Sequence, residues 1–103
     1  MEWTFKSNTE VIQDIGKRIQ EHRLQLNYSQ LELAQKCGLS LSLIQRIEKG
    51  ESVNLINFIQ VIRALHLIEG IEMLVPKKQI SPIMLKKMKG KERLRASKKN
   101  NNI

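Results

Sequence analysis

The stretch Ser29-Gln30-Leu31-Glu32-Leu33-Ala34-Gln35-Lys36-Cys37-Gly38-Leu39-Ser40-Leu41-Ser42-Leu43-Ile44-Gln45-Arg46-Ile47-Glu48-Lys49-Gly50 decides the fold. It predicts two short helices, Ser29 to about Cys37 and Ser40 to Gly50, joined by a tight turn. Serine opens each one because its hydroxyl accepts from a backbone N–H that the first turn leaves unpaired. Glu32 follows Ser29 at the spacing where each side chain caps the other's backbone. Leu33, Ala34 and Cys37 share the inner face of the first helix, where the small Ala34 permits close contact. Ile44 and Ile47 form the buried stripe of the second. Gly38 supplies the positive φ of the turn, and Gly50 ends the unit.

The rest of the 103 residues leaves room for one small domain and a tail. With 41% hydrophobic but only 4% aromatic residues, the core must be built from Leu and Ile, which favours an all-α bundle over a sandwich. Upstream, Ser7 and Glu10 repeat the capping spacing. Ile12, Ile15, Ile19 and Leu26 then mark the apolar stripe of a first helix, and Asn27 suits the left-handed residue that ends it. Gly16 interrupts this helix at about 1 kcal/mol relative to alanine; the close approach of another backbone would explain it. Ahead of it, Trp3 and Phe5 alternate with polar residues. They predict a short extended arm whose rings pack on their own domain or on a dimer mate. Downstream, Asn54 caps a fourth helix with Leu55, Phe58, Ile59, Ile62 and Leu65 at helical spacing.

Beyond Leu67 the residues Ile68, Ile71, Leu74 and Val75 fit either a further helix, weakened by Gly70, or a short strand over Ile71–Val75. In both forms they exceed what a four-helix core needs, so they are assigned to a dimer interface. Pro76 marks a boundary. The division is an arm over 1–8, a helical and dimerisation domain over 9–76, and a basic tail over 77–103. Ser81 and Pro82 predict one more short helix, with Ile83, Met84, Leu85 and Met88 on one side and Lys86, Lys87 and Lys89 on the other. Gly90 stops it, and the composition of 91–103 predicts disorder. The net charge of +8 is not spread evenly. Residues 1–76 hold eight Lys and Arg against nine Asp and Glu, whereas 77–103 hold ten against Glu92 alone. The tail is either a polyanion-binding arm or a solvated extension.

Ser29–Gly50 is the pattern of a helix-turn-helix, whose second helix can enter a DNA major groove. Its outward positions are Leu41, Ser42, Gln45 and Arg46, with Ser40 at the cap. Arg46 can donate two bonds to guanine, Gln45 can pair with adenine, Ser42 suits either edge, and Leu41 can meet a thymine methyl. Gln30 opens the helix whose N-terminus faces a phosphate, and can brace the reading helix. Lys36 and Lys49 are candidate phosphate contacts. A helical hairpin with no nucleic-acid role, in which Leu41 and Leu43 form a partner surface, is the competing interpretation. Catalysis finds no support: His22 and His66 stand alone, Cys37 faces the core, and there is no carboxylate cluster or phosphate loop. No metal-ligand spacing or cofactor motif occurs. No apolar run approaches the roughly eighteen residues of a membrane span. Met1–Lys6 lacks a signal peptide's apolar core. With one cysteine there is no intrachain disulfide, and a reducing cytoplasm is expected.

At Ile15-Gly16-Lys17-Arg18-Ile19 leading to Arg23, Ser29–Ala34, Gly38–Ser40 and Ile44–Gly50, the sequence resembles the phage-repressor-like (Cro/C1-type, XRE) helix-turn-helix regulators. The resemblance covers about Ile12 to Leu67. It implies a five-helix lambda-repressor-like domain, a homodimer on a palindromic double-stranded operator, repression, and an ion pair between Arg23 and Glu48. The sequence departs from the usual pattern at Leu41 and Leu43, where polar side chains are common. The Trp3/Phe5 arm, residues 67–76, and Ile80-Ser81-Pro82 with its basic tail resemble the HipB-type antitoxins, encoded beside HipA-type kinase toxins. Some such modules carry a third, separate small antitoxin protein. This second resemblance implies an autoregulated toxin-antitoxin operon and a complex with the kinase.

Overall fold

The computed structural model describes residues 2–78 together with Ile83, Lys86 and Lys87. The remaining residues of the helix expected after Ser81, and the tail 91–103, lie outside the described residues. Five α-helices follow in order: α1 (Asn8–Gln25), α2 (Gln30–Cys37), α3 (Leu41–Glu48), α4 (Leu55–Ala64) and α5 (Ile71–Leu74). Single 3-10 turns occupy Glu2–Phe5 and Ile68–Gly70. No strand occurs among the described residues, so 71–75 takes the helical alternative and the fold is all-α.

The helix boundaries follow from side chains that satisfy orphan backbone groups. Ser7, Ser29, Ser40 and Asn54 cap α1 to α4, each accepting from the N–H three residues on. Reciprocal capping boxes are complete at Ser7/Glu10 and Ser29/Glu32. The same four helices end alike, on a left-handed residue: Asn27, Gly38, Gly50 and His66. In each case the next residue's N–H reaches back to a carbonyl of the last turn, as in Tyr28 to Arg23 at 3.1 Å and Leu67 to Ile62 at 2.7 Å. His66 is the one the sequence did not reveal, because histidine is tolerated rather than selected at positive φ.

The core joins Ile19 of α1, Leu33, Ala34 and Cys37 of α2, Ile44 and Ile47 of α3, and Val61 and Leu65 of α4. Three expectations need correction. Leu26 lies past the end of α1 and is partly exposed, and the buried position one turn earlier is Arg23. Leu55 is 70% exposed, while Val61, absent from the expected stripe, is fully buried. The reason is local: Val53, just before the Asn54 cap, and Phe58, four residues after it, both pack on the core as a hydrophobic staple, leaving the first turn of α4 outside. Leu43 is half-buried against the core rather than on the outer face of α3, since it lies beside the inward Ile44 and one turn from Ile47. Burial also pushes the Cys37 thiol above its ordinary pKa.

The arm also differs from the extended form expected of it. Glu2–Phe5 is a 3-10 turn, and Lys6 forms an ion pair with Asp14 of α1. The Trp3 ring has the Lys6 ammonium at 5.0 Å and the Arg18 guanidinium at 4.8 Å from its centre, so it packs on its own domain through cation–π contacts. Phe5 does not join it and is 88% exposed.

Candidate nucleic-acid interface

Helix α3 is positioned by three separate constraints. At its start, the turn through Gly38 closes on Leu39 N–H to Ala34 carbonyl at 3.0 Å, and Ser40 Oγ then accepts from Leu43 N–H at 3.1 Å. Along its length Ile44 and Ile47 are buried against α1, α2 and α4. At its end Glu48 turns inward and is held by charge-assisted bonds. Arg23 Nε donates to one carboxylate oxygen at 2.6 Å and Nη2 to the other at 3.0 Å. Gln30 Nε2 donates to the second oxygen as well, at 3.0 Å.

Arg23 completes the arrangement. Its Nη1 donates to the Tyr28 carbonyl at 2.8 Å, while its own carbonyl accepts the Tyr28 N–H. One bidentate pair thus links α1, the α1–α2 turn, α2 and α3. Both side chains are nearly inaccessible, and among the described residues no buried side-chain polar atom lacks a partner. A buried charge of either sign would be costly alone; the pair is tolerated because every nitrogen of the guanidinium and both carboxylate oxygens have a hydrogen-bond partner.

The consequence for the outer face is chemical. Glu48 carries the only carboxylate of α3, and its engagement with Arg23 leaves Arg46 and Lys49 as the cations of that helix surface. Leu41, Ser42, Gln45, Arg46 and Lys49 are all exposed, and so is the cap Ser40. Residues 42, 45, 46 and 49 are related by steps of three and four, so they share one side of the helix. Neither Arg46 nor Lys49 enters an ion pair among the described residues. This side can donate paired hydrogen bonds to base edges and add positive charge toward a phosphate backbone.

Two of the expected contact residues make side-chain contacts within the domain. The Gln30 side-chain nitrogen is committed to Glu48, so it braces α3; what Gln30 offers a phosphate is its position in the first turn of α2. Lys36 places its ammonium over the Tyr28 ring at 4.9 Å and borders a groove with Gln60 and Arg63 of α4, away from the residues gathered on α3. Tyr28 is the structural residue that sequence reasoning missed; its place directly after the left-handed Asn27 was the available signal. Ile68 and Ile71 are half-buried, whereas Met73, Leu74 and Val75 are exposed, so the segment assigned to a dimer interface presents an apolar surface.

A family model described as "Helix-turn-helix" matches residues 19–68, which run from the middle of α1 to the first residue of the turn after α4. No curated protein matches the chain. The match and the five-helix architecture agree on a domain of the lambda-repressor type.

Proposed function

We propose that this chain, whose residues 19–68 are a helix-turn-helix domain of the kind found in DNA-binding transcription regulators, is a sequence-specific repressor. It binds a palindromic operator as a homodimer through α3, and serves as the antitoxin or DNA-binding component of an autoregulated HipA-like kinase toxin-antitoxin operon. The observation that carries the DNA-binding part is the outer face of α3: Ser42, Gln45, Arg46 and Lys49 are exposed together on a helix whose other side is fixed by burial and by the Arg23–Glu48 pair. The exposed Leu74 and Val75 support the dimer, because a two-fold operator requires two reading helices one helical turn apart. The lysines and arginines of 77–103 add sequence-independent attraction to phosphate. The kinase partner, and a third small antitoxin protein where the module has three components, rest on the likeness of the arm, of 67–76 and of Ile80-Ser81-Pro82 to HipB-type antitoxins.

The test is a binding-site selection on random DNA followed by titration of the selected operator. Arg46→Ala is expected to weaken operator binding by about 1–3 kcal/mol and to relax the preference at one base pair in each half-site. Unchanged affinity and unchanged preference would refute readout by α3. A second reading, a protein-contact module for which DNA is secondary, is favoured by the apolar surface of Met73, Leu74 and Val75. It predicts a fixed-stoichiometry complex with the neighbouring kinase together with negligible operator affinity.

A further inference from the structure

We infer that Gly16 and Gly50 form a backbone-to-backbone seat that sets the tilt of α3, making Gly16 a positioning residue for base readout although it lies on α1. The inference rests on α3 being the reading helix. Gly16 is buried in the middle of α1, where glycine weakens a helix, so its presence needs a cause in packing. A Cβ there would sit 2.3 Å from the Ile47 carbonyl oxygen, 3.1 Å from that of Glu48 and 3.2 Å from the Gly50 nitrogen. All three are backbone atoms at the C-terminal end of α3, and none can swing aside as a side chain would.

The contact is reciprocal. Gly50 adopts φ +89°, and a Cβ on it would lie 2.8 Å from Gln13 Cα and 2.6 Å from Gln13 Cγ. Each glycine therefore lets its own strand of backbone approach the other's, one turn apart on α1. The Ile47 carbonyl already accepts the Gly50 N–H at 3.0 Å, so the oxygen facing Gly16 is held in place by that bond. The seat thus supports the last turn of α3, where the remaining carbonyls have no helical donor.

Geometry converts this support into readout. Ordinary van der Waals contact starts near 3.4 Å, so a methyl at Gly16 drives the end of α3 back by about 1 Å. An eight-residue helix is about 12 Å long, so lifting one end by that much while Ser40 and Ile44 hold the other tilts it by about 5°. Gln45 and Arg46 stand near the displaced end and Ser42 near the pivot. Hydrogen bonds to base edges tolerate only a few tenths of an ångström. The loss should therefore be graded along the helix rather than uniform.

The experiment maps each half-site with Ser42→Ala, Gln45→Ala and Arg46→Ala, then measures single-base-pair operator variants with the wild-type protein and with Gly16→Ala. Gln20→Ala, on the exposed side of α1, is the control. Folded fraction is followed by circular dichroism. Gly16→Ala is expected to lose at least 10-fold discrimination at the base pairs mapped to Gln45 and Arg46. Discrimination at the Ser42 pair, and affinity for non-operator DNA, should change less than 3-fold. Where Gly16→Ala does not fold, Gly50→Asn presses on the same seat through Gln13 with a residue that accepts positive φ, and the same graded loss is expected. An equal loss at all base pairs, an unchanged profile, or failure of both variants to fold would overturn the inference, the last because the seat would then serve stability alone. A wild-type protein with no base-pair preference would instead refute readout by α3.

Discussion

Removing the Glu48 carboxylate should unfold this protein more effectively than removing any exposed charge. In Glu48→Ala the Arg23 guanidinium keeps only the Tyr28 carbonyl, and the Gln30 amide loses its acceptor. The side chains of Arg23 and Glu48 are 7% and 4% exposed, so water cannot replace the lost partner. Breaking a buried pair from one side costs about 3–5 kcal/mol, against a total stability of about 5–15 kcal/mol for a small domain. At roughly 4–8 °C per kcal/mol for a chain of this size, the melting temperature should fall by about 12–40 °C. Arg23→Met should cost a similar amount. The double variant Arg23→Met/Glu48→Ala removes both charges and should cost about 2 kcal/mol less than the sum of the two, since neither is then left unpaired. Thermal and urea unfolding by circular dichroism, at one fixed protein concentration, provides the cycle. Single losses below 1 kcal/mol that add without coupling would refute the pair as the link between α1 and α3.

Three further outcomes are expected. Trp3 is the only tryptophan and reports on the arm, which Lys6 ties to Asp14; the hydrogen bond from Lys6 lowers the Asp14 pKa from its ordinary 3.8. A depressed carboxylate contributes stability above its ordinary pKa and loses it as pH falls through the lowered value. Trp3 emission should therefore hold from neutrality to about pH 4 and shift red below it, while Asp14→Asn should give the red shift at pH 7; emission independent of both would disprove the clip. Leu74→Glu should convert a homodimer to monomer in sedimentation equilibrium and weaken operator binding at least 10-fold, whereas a dimer unaffected by it would place the interface elsewhere. His66 stands at φ +63°, where a non-glycine residue costs about 1–2 kcal/mol, so His66→Gly should raise stability by up to about 1 kcal/mol; a loss of more than that would show the imidazole making a contact of its own.

Local chemistry made much of this protein legible without a structure. Four helix starts were readable from Ser7, Ser29, Ser40 and Asn54, and three of the four left-handed ends from Asn27, Gly38 and Gly50, because capping depends on neighbours within a few residues. The inner faces of α2 and α3 followed from helical spacing in the same way, and Gly16 announced a close backbone approach by its cost. What only the tertiary structure decided involves contacts distant in sequence or competition for one place in the core. Periodicity put Leu55 inside and left Val61 out, but the Val53–Phe58 staple filled that end of the core first. Leu43 and Leu41 looked alike as sequence; proximity to Ile44 and Ile47 drew one inward and left the other on the surface. The sequence offered Lys36 as a phosphate contact for its charge, and Gln30 for its place at the start of α2 and as a brace for α3. Packing committed the Gln30 amide to Glu48 and the Lys36 ammonium to Tyr28. Spacing along a helix determines which residues can point together, whereas which of them stay free for a ligand depends on what the other helices bring to meet them.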